Sequence, residues 1–204
     1  MFEGGGVGFV APSLVPLDPV ERTSFDDYFR QCLSWVGSVS GPVVLVGASM
    51  GAVLALAVAQ GVSVGGVVMV SGAPPAAVGS FPVREYADVV RWAGGPVEET
   101  RAALPDGEEA TVRFAAERWR DESGAVLRCL RSVKVAPPRC PCLVVHGTED
   151  SDVPASFALA TAEWASADLL LYSGMSHLGP LLGTRAAEVA GAVLGWIRGL
   201  ETRR

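Results

Sequence analysis

The chain has 204 residues, of which 50% are hydrophobic and 19% charged, and its formal net charge at pH 7 is −6. This length and composition are typical of one globular domain with a buried core. Lys134 is the only lysine and the arginines are scattered, so the sequence lacks the concentrated basic face that binds nucleic acid. We therefore expect no nucleic-acid partner.

Residues 41–83 carry no charged side chain, which invites comparison with a membrane span. Pro42 and a series of glycines divide this stretch into pieces too short to cross a bilayer as one helix. A buried strand–helix–strand unit is the better interpretation, and no membrane partner is expected. The N-terminus carries Glu3 where a signal peptide would carry positive charge, so we expect a cytoplasmic protein.

The cysteines also fit a reducing compartment. The Cys140-Pro-Cys142 loop is too short for an easy disulfide, and with only two histidines in the chain a metal site is not indicated. We interpret all four cysteines as free thiols and expect neither a bound metal nor a cofactor.

In chain order, the first half of the sequence alternates predicted strands with predicted helices. A helix capped by Thr23 or Ser24 shows an apolar face at helical spacing, and the β-branched runs between glycines are typical of buried strands. The predicted elements are a strand over 7–11, a helix from the cap to about 36, a strand over 43–46, a helix over 50–60 and a strand over 66–70.

The sequence pattern then changes. Residues 76–135 are rich in charged side chains, and their apolar residues recur at helical spacing. The pattern predicts helices over 83–93, 97–104 and 108–131, the last with a break at Gly124. A pattern typical of strands returns after this segment. The remaining predicted elements are a strand over 142–146, a helix over 155–164, a strand over 169–172 and a helix over 184–200. Alternating buried strands and helices predict an α/β fold, with a mostly parallel sheet covered by helices on both faces. We expect residues 1–75 and 136–204 to form the core, and residues 76–135 to be a helical cap or lid inserted at the carboxyl edge of the sheet.

The motif Gly47-Ala48-Ser49-Met50-Gly51 stands between a predicted strand and a predicted helix. In that context Gly-x-Ser-x-Gly is typical of a nucleophile elbow, a tight turn that raises the serine hydroxyl above the end of the sheet. The turn strains the backbone at Ser49, and the small residues on either side accommodate it. Ser49 is therefore the candidate nucleophile.

A serine nucleophile needs a base and an orienting carboxylate. His177 lies in the loop after the last predicted strand, where an imidazole can reach Ser49, whereas His146 ends a strand and is the weaker alternative. The loop after the preceding strand offers Asp150 as the first candidate for the carboxylate and Asp152 as the second. Acidic residues here would also suit the N-terminus of the helix that follows.

Three blocks of sequence together resemble the α/β-hydrolase superfamily: residues 47–51, residues 146–154 and residues 174–177. The resemblance covers about residues 7–200 and implies a Ser49, Asp150, His177 catalytic triad under a helical cap. It also implies that the Met50 N–H is one oxyanion-hole donor. In the superfamily, three strands and a helix precede the segment that residues 7–12 resemble, so the chain resembles an N-terminally shortened member. The second oxyanion donor is unassigned, and Gly4–Gly6 or the amides near Ser13 are the candidates.

These observations predict a serine hydrolase that cleaves an ester or thioester of a small-molecule acyl substrate through an acyl-enzyme. An acyltransferase or cyclase with the same triad, and a non-catalytic binding protein on an eroded hydrolase fold, are the alternatives. The sequence leaves the oligomeric state open, because a partner chain would be one way to cover strand edges exposed by a shortened start.

Overall fold

A computed structural model describes residues 7–79 and 85–201. The strands are β1 (Val44–Ala48), β2 (Gly66–Val70), β3 (Val89–Val90), β4 (Glu122–Ser123), β5 (Cys142–Gly147) and β6 (Asp168–Tyr172). The α-helices are α1 (Phe25–Ser38), α2 (Met50–Gly61), α3 (Val97–Ala103), α4 (Glu109–Ala116), α5 (Gly124–Cys129), α6 (Ala155–Ala165), α7 (Gly179–Leu182) and α8 (Ala186–Glu201).

The main sheet has four parallel strands in the order β1-β2-β5-β6. Its two inner strands, β2 and β5, are buried along their whole length, as uncharged β-branched runs predict. β1 is an outer strand in the described part of the chain, and Val46 on it is 50% exposed.

Helices cover both faces of this sheet, which confirms the predicted α/β class. On one face, alanines of α2 and α6 let these helices approach the strands closely. The apolar cluster between helices and strands includes Ala52, Ala55, Leu56, Val67, Met69, Val144, Ala158 and Ala162. On the other face α8 packs through Val189 and Val193 against Val68, Val70, Leu143 and Val145. The sheet therefore has two apolar cores, and its carboxyl edge is left for loops.

Helix α1 begins where its capping residues predict. The Ser24 hydroxyl accepts a hydrogen bond from the Asp27 N–H (3.2 Å), and the Asp27 carboxylate accepts one from the Ser24 N–H (2.9 Å). This reciprocal pair satisfies two amides that the first turn leaves without partners.

Two predicted elements are wrong, and a third is interrupted over more residues than predicted. No strand forms over 7–11, where Phe9 and Val10 are exposed and no neighbouring strand pairs with the backbone. The predicted helix over 83–93 is also absent from its described residues, 85–93, which instead contain β3. The Asp121 carboxylate accepts hydrogen bonds from the Trp92 and Ala93 N–H groups (3.1 and 3.0 Å), and this contact holds the chain in a loop.

The helix predicted over 108–131 with a break at Gly124 is found as two helices, α4 and α5, and α5 begins at Gly124; the interruption is longer than predicted, because residues 117–123 leave the helix and include β4. β4 pairs antiparallel with β3, and the Gly124 N–H donates to the Asp88 carbonyl (2.9 Å). A side chain at Gly124 would overlap the Ala87 carbonyl, so the glycine permits a close backbone approach that a continuous helix would prevent.

The cysteines of the described residues are free thiols, as expected, and burial raises the pKa of Cys142 to about 12. Among the described residues, no helix has both the length and the hydropathy needed to cross a membrane.

Candidate active site

Ser49 occupies the turn between β1 and α2 with φ 50° and ψ −119°, a conformation that L residues rarely adopt. Hydrogen bonds on both sides hold it there. The Ser49 N–H donates to the Val70 carbonyl (3.0 Å), and the Ser49 carbonyl accepts from the Ala73 N–H (3.0 Å). The end of β2 thus fixes the strained residue, as a nucleophile elbow requires.

The two glycines of the motif differ in their surroundings. A Cβ at Gly47 would overlap the carbonyl oxygen of Gly51, so the turn closes only because residue 47 has no side chain. Nothing lies within 4 Å of the position that a Cβ would take at Gly51. Sterically, the turn requires a glycine at the first position and tolerates a small side chain at the second.

Asp150 is buried in the loop after β5, and each of its carboxylate oxygens has its own partners. Oδ1 accepts hydrogen bonds from the Asp152 and Val153 N–H groups (2.9 and 2.8 Å). Oδ2 lies 2.8 Å from His177 Nδ1, and the Asp150 side chain is 0% exposed. The backbone amides fix the carboxylate so that its second oxygen faces the imidazole.

His177 follows β6 in a loop at the carboxyl edge of the sheet, and its side chain is 10% exposed. Because its Nδ1 faces a carboxylate, Nδ1 carries a proton and the neutral ring keeps an unprotonated Nε2. His177 lines the same pocket as Ser49 and Met50. Asp152, the second candidate for the carboxylate, lines this pocket too, but its backbone amide is what contacts Asp150.

His146, the alternative base, is 0% exposed and does not line the pocket. Its Nε2–H donates to the Val153 carbonyl (2.8 Å), and the same nitrogen lies 3.5 Å from Asp150 Oδ2. Burial lowers the pKa of His146, so the ring is neutral near pH 7. It supports the loop of Asp150 from within the core.

The pocket above Ser49 has a volume of about 730 Å³, which suits a small organic substrate. Its floor comes from Ala48, Ser49, Met50 and Ala73, while residues 86–131 supply most of its other wall. Apolar and aromatic side chains dominate, with charged groups at Glu99, Glu122, Arg128, Arg131 and Asp152. Such a surface fits an apolar acyl or alcohol group next to a few polar anchors.

Met50 is the first residue of α2, so its N–H belongs to the amides that have no partner within the helix. It lines the pocket beside Ser49, where the positive end of the helix favours negative charge. For the second oxyanion donor, Ser13 does not line this pocket, and Gly4–Gly6 lie outside the described residues. No group of three or more His, Cys, Asp or Glu side chains is arranged to hold a metal ion within residues 7–79 and 85–201.

Two polar contacts near the pocket were not predicted from the sequence. The Tyr28 hydroxyl donates to Glu122 Oε1 (2.9 Å), and the Ser176 hydroxyl donates to Asp106 Oδ1 (2.5 Å). Each contact joins residues far apart in the chain, and the residues themselves match no motif. The only local signal was the position of Ser176 next to His177.

A strained serine turn between strand and helix, a histidine hydrogen-bonded to an aspartate, and the parallel sheet that carries both are features of an α/β-hydrolase class of protein. Residues 4–192 match the alpha/beta hydrolase family, and the chain belongs to that family.

Solved structures share this fold at low sequence identity. A monoacylglycerol lipase from Paleococcus ferrophilus has a TM-score of 0.61 and 16% identity over 87% of this chain and 76% of its own. A putative lipase from Acinetobacter baumannii has a TM-score of 0.67 and 14% identity over 89% of this chain and 69% of its own. A meta-cleavage product hydrolase from Pseudomonas fluorescens has a TM-score of 0.59 and 17% identity over 87% of this chain and 73% of its own. A comparison with curated proteins finds no match.

Proposed function

We propose that the protein is a serine hydrolase that cleaves an ester or thioester of a small-molecule acyl substrate. The observation that carries the proposal is the His177–Asp150 hydrogen bond in the pocket that Ser49 lines. Membership of the hydrolase family, and a fold shared with lipases and hydrolases, support the same reaction class.

In the proposed mechanism, Ser49 Oγ attacks the substrate carbonyl while His177 Nε2 takes the hydroxyl proton. Asp150 keeps the proton on Nδ1 and stabilises the imidazolium that forms. The Met50 N–H donates to the oxyanion of the tetrahedral intermediate. The imidazolium then gives its proton to the departing alcohol or thiol, which leaves an acyl group on Ser49. A water molecule, deprotonated by His177, releases the acid and restores the serine.

We further propose that residues 76–135 act as a lid over this pocket. Tyr86, Trp92 and Trp119 lie in this segment and line the pocket opposite Ser49. A wall of this kind excludes water from the acyl-enzyme and gives the substrate an apolar surface to bind.

The first prediction concerns the nucleophile and the base. Ser49→Ala and His177→Ala should each lower the turnover of a short-chain aryl ester by about 10⁴-fold, because either change removes the nucleophilic step. Ser38→Ala is the matched control, since that exposed hydroxyl bonds only to the Trp35 carbonyl at the end of α1. Initial rates with each purified variant provide the measurement.

A fluorophosphonate probe separates the outcomes. Labelling of wild type and Ser38→Ala, but not of Ser49→Ala, supports an acyl-enzyme at Ser49. An unlabelled but well-folded wild type would reject catalysis and favour a binding protein. Ester hydrolysis by Ser49→Ala within tenfold of wild type would reject Ser49 as nucleophile. Product analysis with and without an added alcohol or amine distinguishes hydrolysis from acyl transfer.

A further inference from the structure

Asp106 reaches from the loop between α3 and α4 to the loop that carries His177. Its Oδ1 accepts a hydrogen bond from the Ser176 hydroxyl (2.5 Å), and its Oδ2 lies 3.4 Å from the Ser176 N–H. The Asp106 carbonyl accepts a third bond from the Thr184 N–H (3.0 Å). One residue of the proposed lid is thus bonded to both sides of the short helix α7.

The surroundings of this carboxylate are shaped to admit it. A Cβ at Gly179 would overlap Asp106 Oδ2, and a Cβ at Gly183 would lie 2.8 Å from the same oxygen. Ser176 is 4% exposed, and its Oγ also accepts a hydrogen bond from the Gly179 N–H (3.1 Å). Two glycines therefore leave space for the Asp106 carboxylate, and the buried Ser176 hydroxyl bonds to it. Leaving that hydroxyl without a partner would cost free energy, as it does for buried polar groups in general.

Other contacts join the loop of His177 to the loop that follows β5. The Glu149 N–H donates to the Met175 carbonyl (2.9 Å), and the Gly174 N–H donates to Thr148 Oγ1 (3.0 Å). These bonds fix the residues before Ser176, whereas Asp106 fixes Ser176 itself, directly before His177. The Nδ1–H of His177 must meet Asp150 Oδ2, so a small rotation of this loop would misdirect the imidazole.

We propose that Asp106 is a positioning residue that couples the lid to the histidine. Through Ser176 it holds the His177 imidazole in register with Asp150. This inference rests on the proposed function of His177 as the base.

Kinetics of variants on either side of the contact test the proposal. Asp106→Ala and Ser176→Ala should each lower kcat by about 10- to 100-fold and leave KM within about threefold, since misplacing a catalytic group by ~1 Å costs up to about 100-fold. Asp106→Asn keeps an oxygen that accepts the Ser176 hydroxyl and should recover most of this loss.

Glu109→Ala is the matched control. Glu109 is the first residue of α4, just after the loop of Asp106, and its carboxylate bonds to Arg101 and Arg113. Its loss therefore disturbs the proposed lid without removing a contact to the histidine loop. Both single variants break the same contact. The kcat of the double variant Asp106→Ala/Ser176→Ala should therefore lie within about twofold of the kcat of the slower single variant. Additive losses, or losses matched by Glu109→Ala, would overturn the proposal.

A measurement without substrate separates this inference from the proposed function. The chain has two histidines, so the imidazole spectrum by NMR contains signals from His146 and His177 alone. In Asp106→Ala and Ser176→Ala, the Nδ1–H signal of His177 should broaden and exchange faster with water, while Glu109→Ala resembles wild type. An unchanged His177 signal in both variants rejects the proposal, and this readout holds even if wild type hydrolyses no ester.

Discussion

Ser49 and Gly47 show how the strain at one residue determines which side chain another can carry. The positive φ of Ser49 brings the Gly51 carbonyl against the Cα of Gly47, so the strain is accommodated by a missing side chain two residues earlier. Gly51 is under no such restriction. The sequence predicted the elbow from a pattern with two equivalent glycines, and the structure makes only the first one sterically necessary.

This difference gives a prediction for a matched pair of variants. Gly47→Ala should lower the free energy of unfolding by about 1–3 kcal/mol, the usual effect of forcing an extra methyl into a filled space. Gly51→Ala should leave it unchanged or raise it by up to about 1 kcal/mol, because alanine favours the helix and finds open space. Urea unfolding of both proteins, followed by circular dichroism, gives the comparison. Equal destabilisation by the two changes would contradict the steric argument.

Helix α1 and strand β4 are joined by a contact that no local pattern reveals. Tyr28 is 2% exposed, and its hydroxyl donates to Glu122, which also accepts the Ser123 N–H (2.7 Å). The Ser123 hydroxyl donates in turn to the Thr23 carbonyl (2.8 Å) just before α1. Burial and the neighbouring carboxylate raise the pKa of Tyr28, so it remains a donor at any ordinary pH. These bonds attach the proposed lid to the core.

Removing the hydroxyl should therefore loosen this attachment. Tyr28→Phe is expected to lower the free energy of unfolding by about 1–3 kcal/mol, because the half-buried Glu122 carboxylate loses a hydrogen-bond partner. Tyr172→Phe is the control, since its ring is half-buried and stacks against Arg185. Thermal unfolding of the two variants measures the difference. A Tyr28→Phe protein as stable as Tyr172→Phe would show that the bond contributes nothing.

The elements that were predicted well are those whose own residues decide their structure. β2 matches its predicted bounds, and α2, α6 and β6 differ by a residue at an end, because each has a continuous apolar pattern and a clear stop. The helix expected over 83–93 is absent, and the one expected over 108–131 is interrupted over 117–123, for the opposite reason. There, the Asp121 carboxylate and the close approach at Gly124 override local helical preference.

The whole molecule brings together, at the carboxyl edge of one sheet, groups from distant parts of the chain. The order of the motifs in the sequence was enough to nominate Ser49, Asp150 and His177, because loops after parallel strands meet at one edge. A cap at this edge was predicted, but the full lining of the pocket and the Asp106 contact were not, since both depend on how residues 86–131 pack over the edge. The candidate catalytic residues could therefore be predicted from the sequence more readily than the shape of the pocket that would hold a substrate.

Stability of the whole protein should depend on His146 in mildly acidic solution. Burial lowers its pKa below the ordinary value of 6.5, so the unfolded chain binds a proton that the folded protein does not. The free energy of unfolding should then fall as pH drops below about 6.5, by at most about 1.4 kcal/mol per pH unit. His146→Gln removes this contribution and should flatten the decline between about pH 7 and 5.

Urea unfolding of wild type and His146→Gln across this range provides the test. Asp150 and His177, the charged and titratable neighbours of His146, are present in both proteins, so the difference in slope isolates His146. Parallel pH profiles would show that the buried ring takes up its proton without penalty.

β1 is an outer strand of the described sheet, so its amide protons fall into two groups: those that face β2 and those that face away from it. The Gly65 N–H donates to the Val43 carbonyl and the Ser49 N–H donates to the Val70 carbonyl, so odd-numbered residues of this stretch face β2. The N–H groups of Val44, Val46 and Ala48 therefore point away from it. In deuterated water the amide protons of β1 should therefore exchange in alternation up to Ser49, fast for the residues that face away from β2 and slow for those that face it.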